Sequence, residues 1–151
     1  MKFVLAMITV AFAAMAANAT ERGTPAEAKA MLAKAAEHYQ AVGRTAAFAD
    51  FNNRKTPFFD RDLYVFCIGS DHMTLANGGF PTYVGTSVDL LKDADGKPIG
   101  TALLKAAAGN GAASVEYRWL NPVSRQIEKK ISFVRKLGDD VCGVGAYNTG
   151  S

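Results

Sequence analysis

The sequence predicts an α+β domain: five strands in one antiparallel sheet, a long N-terminal helix over one face, and a loop-and-helix insertion over the other. Three observations carry this reading. A capped amphipathic helix opens the folded part of the chain, a β-hairpin follows it, and three further strand-like runs close the chain after a Gly-rich and helical interruption. Helix, hairpin, insertion and strands in that order describe an α+β pattern and not alternating βαβ units.

The first residues read as a targeting segment. Lys2 supplies a thin positive start, Phe3 to Ala16 is apolar apart from Thr9, and Ala17-Asn18-Ala19 has the small-x-small pattern of signal cleavage. Residues 1–19 are therefore expected to be a signal peptide, and residues 20–151 a single exported domain. The apolar run is shorter than the ~20 residues needed to span a bilayer, an uncleaved anchor being the alternative.

Thr24-Pro25-Ala26-Glu27 has the form of a capping box with proline in the first turn. Ala28, Met31, Leu32, Ala35, Tyr39 and Val42 follow at the spacing of one helical face, and Gly43 marks its end. A second helix is expected from Arg44 to about Phe51, with Phe48 and Phe51 inward. The period changes at Leu63: Leu63 to Ile68 and Met73 to Ala76 read as a hairpin turning at Gly69-Ser70-Asp71. Asn77-Gly78-Gly79-Phe80-Pro81 breaks the chain into a loop. The Asp93–Lys97 turn leads into a helix near Ile99 to Ala108. Strands are expected at Ala113–Trp119, Gln126–Arg135 and Val141–Tyr147.

Composition narrows the function. Apolar residues make up 49% and charged residues 21%, as in an ordinary globule. Without Lys2 the chain holds 16 basic and 14 acidic residues, net +2, with no basic run, so no nucleic-acid partner is expected. Cys67 and Cys142 lack CxxC or metal-ligand spacing. In an exported protein they form either a disulfide or two small buried hydrophobes. Asp93-Ala94-Asp95-Gly96 lacks the third and closing ligands of a calcium loop and reads as a turn. His38 and His72 read as solvated, Ser70 has no triad around it, and Gly143-Val144-Gly145 opens no helix. No catalytic residue, metal or cofactor is expected, and the chain is not expected to be an enzyme.

Several ordered fragments carry a resemblance: Asp62-Leu63-Tyr64-Val65-Phe66, Leu75-Ala76-Asn77-Gly78, Leu91 to Lys97, Tyr117-Arg118-Trp119-Leu120-Asn121-Pro122, Lys130-Ile131-Ser132-Phe133-Val134 and Gly143-Val144-Gly145-Ala146-Tyr147. In this order and spacing the chain resembles single Cache domains, in their stand-alone secreted form. The resemblance implies a PAS-like (profilin-like) sheet of order 2-1-5-4-3 with a small-molecule site on one face. It implies ligands that are commonly small organic acids, sometimes amines or amino acids, and a role in extracytoplasmic small-molecule sensing. It also sets the first and last strands side by side, which favours a Cys67–Cys142 bridge. Asn77 stands where many relatives carry histidine.

The last hairpin places the site residues. A four-residue loop at Asn121–Ser124 pairs Trp119 with Gln126 and Tyr117 with Glu128. Val115, Tyr117, Trp119, Glu128, Lys130 and Ser132 then share one face, with Lys130 diagonal to Tyr117. A loop longer or shorter by one would move Lys130 to the other face. An ammonium between aromatic walls suits a small carboxylate. The ligand set expected is Tyr64, Tyr83, Tyr117, Trp119, Lys130 and Tyr147; the competing reading makes the rings core and lets Lys130 snorkel to solvent. Glu128 beside Lys130 is the one acid–base pair an enzyme could use. The expected role is a periplasmic or secreted sensory module for a small organic acid, free of the membrane after cleavage, reporting to a separate membrane receptor or kinase. A ligand-free interaction or scaffold protein is the alternative.

Overall fold

The computed structural model describes residues 21–54 and 57–148, and the leader read at residues 1–19 lies outside them. The elements are α1 (Pro25–Val42), α2 (Arg44–Asn52), β1 (Phe59–Asp60), β2 (Leu63–Ile68), β3 (Thr74–Asn77), a 3₁₀ turn (Pro81–Tyr83), α3 (Ile99–Ala107), β4 (Ala113–Leu120), β5 (Ile127–Leu137) and β6 (Asp140–Asn148). No helix among the described residues is long and apolar enough to cross a membrane.

The capping box opens α1 as the sequence indicates. Thr24 Oγ1 accepts from the Glu27 amide at 3.2 Å, and the Glu27 carboxylate accepts from the Thr24 amide at 2.7 Å. Ala28, Met31, Leu32 and Ala35 are buried, but Val42 is exposed. The chain turns at Gly43 (φ 86°) straight into α2, leaving the last turn of α1 open to solvent. Asp140, in the β5–β6 hairpin, ties both helices to the sheet. Its buried carboxylate accepts from Arg44 Nε at 2.8 Å and from the Tyr39 hydroxyl at 3.0 Å.

Strand order is β3-β2-β6-β5-β4, all antiparallel. Counted over the five strands expected from sequence this is 2-1-5-4-3. The two-residue β1, which the sequence pattern did not reveal, pairs with the start of β2 on the edge that β3 occupies farther along. The alternation of side chains divides the core in two. Leu63, Val65, Cys67, Phe133, Cys142, Val144 and Ala146 pack against α1 and α2 with Phe48, Phe51 and Phe58. Tyr64, Phe66, Ile68, Val115, Tyr117, Val134 and Tyr147 face α3 and the insertion, with Val88, Ile99 and Leu103. Cys67 and Cys142 pair directly in the β2–β6 ladder, Cα atoms 4.1 Å apart, and form a disulfide.

The β4–β5 hairpin corrects one expectation. Its loop is six residues, 121–126, so Leu120 pairs with Ile127, Trp119 with Glu128 and Tyr117 with Lys130. The Asn121 side chain builds the longer loop, its Oδ1 accepting the Val123 and Ser124 amides at 2.8 and 3.2 Å. Arg125 takes a left-handed conformation (φ 61°) before the strand resumes. The shift is two residues, an even number, so every side chain keeps its expected face. Lys130 faces the insertion side, now directly opposite Tyr117.

The insertion is pinned to the edge of β4. Asp93 accepts from the amides of Asp95 (2.9 Å), Lys97 (2.8 Å) and Arg118 (3.1 Å), while Ala94 N–H donates to Arg118 O. Burial favours the neutral carboxyl of Asp93, yet these three donors outweigh it and hold the group below its ordinary range. This turn closes off part of an exposed strand edge.

Candidate functional site

Lys130 rises from the middle of β5 on the insertion side and must cross β6 to reach β2. Glycine makes the crossing possible. A Cβ on Gly145 would lie 2.2 Å from Lys130 Cε and 2.4 Å from Ser132 Oγ, and one on Gly143 would lie 2.5 Å from Phe66 Cζ. The Gly-x-Gly of β6 is thus a trough in the sheet, cut for the lysine stem and the Phe66 ring.

At the end of that trough the amine is enclosed; the residue is only 2% exposed. Nζ donates to Tyr64 Oη at 2.6 Å and to Tyr147 Oη at 3.3 Å. Tyr147 in turn donates to the Leu120 carbonyl at 2.7 Å, so the 3.2 Å contact between the two tyrosines has Tyr64 as its donor. The nitrogen sits 4.1 Å from the Tyr64 ring centre and 4.7 Å from that of Tyr147, with Tyr117 and Phe66 at 5.9 and 6.0 Å. Burial lowers its pKa to about 7, partly opposed by the charge of Asp62. Burial also pushes the hydroxyls of Tyr64, Tyr117 and Tyr147 up, keeping them protonated as donors.

Beside the amine lies a cavity of about 40 Å³, against the ~10–15 Å³ one water needs. Of the six residues expected from sequence, Tyr64, Tyr83, Tyr117, Trp119 and Lys130 line it; Tyr147 is not part of the lining and meets the site through its bond to Lys130 Nζ. Tyr83 and Trp119 meet at a ring separation of 5.8 Å and also border an outer groove with Phe80. Tyr117 spends its hydroxyl on Ser132 Oγ at 2.8 Å.

Of the other lining residues, only Asn77 was singled out by the sequence, through the resemblance. Thr74 and Asn77 come from β3, and Val88, Leu91, Ile99 and Leu103 form the far wall. Asn77 and Thr74 reach the same face only because the β2–β3 register shifts between Cys67 and Ile68, which simple alternation cannot foresee. Asp62 was missed as a buried acid: it accepts from Gly23 N–H at 2.7 Å and Asn121 Nδ2 at 3.0 Å.

Glu128 does not pair with Lys130. Arg22, Ser124 and Asn121 donate to it instead. These bonds outweigh its burial and hold the carboxyl below its ordinary range, as suits a structural anion. His38 bonds Asp50 and packs on Phe58, His72 bonds Asp89, and neither lines the cavity. Among the described residues no group of three or more His, Cys, Asp or Glu is placed to hold a metal.

No protein of curated function matches the chain. Solved structures share the fold, among them the following three. A methyl-accepting chemotaxis protein from Vibrio parahaemolyticus RIMD 2210633 is 21% identical with a TM-score of 0.67, over 81% of this chain and 86% of its own. A Cache chemosensory domain studied for carboxylic acid recognition is 22% identical, TM-score 0.60, over 79% and 84%. A periplasmic sensor domain of a chemotaxis protein is 18% identical, TM-score 0.60, over 79% and 86%. The family model described as single Cache domain 2 matches residues 3–147. The chain belongs to the single Cache domain 2 family.

Proposed function

We propose that this protein is an exported sensory module that binds a small monocarboxylate at Lys130 and passes the signal to a separate receptor or kinase. The observation that carries the reading is the buried amine: a lysine nitrogen among tyrosine rings, at a cavity, with no carboxylate among the described residues in contact with it. A buried charge without a partner is costly, and an anionic ligand would supply the partner. Tyr64 and Tyr147 take two of the three donor positions of the ammonium, leaving one for a ligand oxygen. The apolar wall of Val88, Leu91, Ile99 and Leu103 suits a short hydrocarbon tail. Among the described residues no acidic side chain lines the cavity, so an ammonium-bearing ligand finds no counter-charge in its wall. A Cache domain of related fold recognises carboxylic acids, which agrees with this chemistry. A ligand of at most about six non-hydrogen atoms is limited to roughly micromolar affinity.

Thermal unfolding of the exported form with acetate, propionate, amino acids and amines tests the reading. Short monocarboxylates are expected to raise the Tm, and Lys130→Met to abolish the rise. Because an anion favours the protonated amine, affinity should be flat below pH 7 and fall above it. A carboxylate-induced shift that survives in Lys130→Met would rule out this site.

A further inference from the structure

Among the described residues every polar partner of Lys130 Nζ is a phenol, at 2.6 and 3.3 Å, and none is an acid. If the residue only held an anion, arginine would serve better: its guanidinium stays charged and grips a carboxylate at two points, whereas a buried lysine readily gives up its proton. A desolvated, uncharged lysine amine is the form that attacks carbonyl carbons. The cavity supplies the remaining parts. The Tyr64 hydroxyl lies 2.6 Å from the amine, close enough to carry a proton between nitrogen and a neighbouring oxygen. On β3, Asn77 has its Oδ1 occupied by the Phe80 amide at 2.9 Å, which leaves its amide nitrogen, with the Thr74 hydroxyl, as donors at the cavity wall.

We propose that the cavity captures a small 2-oxo acid as a reversible imine on Lys130 Nζ. The inference rests on the carboxylate-site reading and extends it. The ammonium, with Asn77 and Thr74, receives the carboxylate. As Tyr64 relays a proton from nitrogen to the adjacent carbonyl oxygen, the freed lone pair forms a C–N bond to the carbonyl carbon and the C=O pair moves to oxygen. That oxygen takes a second proton from nitrogen and leaves as water, and the protonated imine keeps the positive charge beside the carboxylate with no change in oxidation state. Hydrolysis releases the acid unchanged, so the ligand is held covalently without turnover.

The test incubates the purified protein with pyruvate and cyanoborohydride, followed by intact-mass and peptide analysis. One reduced pyruvyl adduct per chain is expected, on Lys130, with each surface lysine below roughly a tenth of its occupancy, since a near-neutral pKa leaves far more free amine. Propionate, which has no carbonyl, should slow labelling by competition, and Lys130→Met should leave only the surface background. A Tm rise with both pyruvate and propionate but no adduct on Lys130 overturns the imine and leaves the carboxylate site standing. Labelling of Lys130 that propionate does not slow, with no Tm rise from propionate, overturns the carboxylate site. Adducts spread evenly over surface lysines overturn the imine.

Discussion

The two faces of the sheet are built to opposite rules. The face under α1 and α2 is hydrocarbon and one disulfide, filled by Val65, Val144, Ala146, Phe51 and the Cys67–Cys142 bridge. The face under the insertion buries a lysine, three tyrosines and a serine beside a cavity, over strand positions held by glycine. Close packing stabilises the first face. The second gives up packing and carries an amine whose burial works against folding. The contrast is what the proposed site at Lys130 rests on: a buried amine that works against its own fold is accounted for by an anion that it binds.

The largest effect expected on the helix side follows Phe51→Ala. Phe51 is fully buried and packs edge-on against Phe58 at a ring separation of 4.8 Å. Its loss should cost ~3–5 kcal/mol in denaturant unfolding, with little change in the affinity of the protein that remains folded. A carboxylate response lost in step with stability would show the faces to be coupled and break the contrast.

Lys130→Met should act with the opposite sign. Replacing a buried charge by a flexible apolar chain of similar length is expected to stabilise the protein by ~1–4 kcal/mol near neutral pH while removing the ligand response. The pH dependence gives a second check. The unfolded lysine holds its proton to about pH 10.5, whereas the folded one loses it near 7. Between those values the unfolded state binds more protons, so the wild type gains stability as pH rises. The advantage of Lys130→Met should therefore be largest at and below pH 7 and shrink toward pH 10. A pH-independent difference would mean that the amine stays charged in the fold.

Gly145→Ala probes the trough itself. The added methyl would meet Lys130 Cε at 2.2 Å and Ser132 Oγ at 2.4 Å, so the lysine stem must move. Overpacking of this kind costs ~1–3 kcal/mol, and the carboxylate-induced Tm rise should vanish with it. Retention of the full rise would place the ligand away from the amine.

Much of this was readable before any coordinates. The Thr24–Glu27 capping box is local, and the order of hydrophobic runs set the layers. Parity alone carried Lys130 to the correct face, although the loop was misjudged by two residues: Asn121, which closes a shorter turn by composition, builds a longer one with its side chain. The trough was visible as Gly143-Val144-Gly145 but not its purpose, because a glycine is explained only by the side chain that lies over it, here one from the neighbouring strand. Asp62 and Glu128 were illegible for a related reason. Their partners, Gly23 and Arg22, come from a distant part of the chain.

Tyr117→Phe gives the smallest effect and draws the boundary of the site most finely. Tyr117 lines the cavity and lies within 5.9 Å of the amine, yet its hydroxyl bonds Ser132. The ring should serve as wall, and the hydroxyl as a link between β4 and β5. Its removal leaves the buried Ser132 hydroxyl short of a partner, a loss of about 1 kcal/mol, while carboxylate affinity should change less than about threefold, or ~0.7 kcal/mol. Tyr64→Phe is the counterpart, because it takes away the acceptor nearest the amine. Titration calorimetry on the two variants separates wall from ligand. A larger affinity loss in Tyr117→Phe than in Tyr64→Phe would move the carboxylate toward β4 and away from the phenol pair beside Lys130.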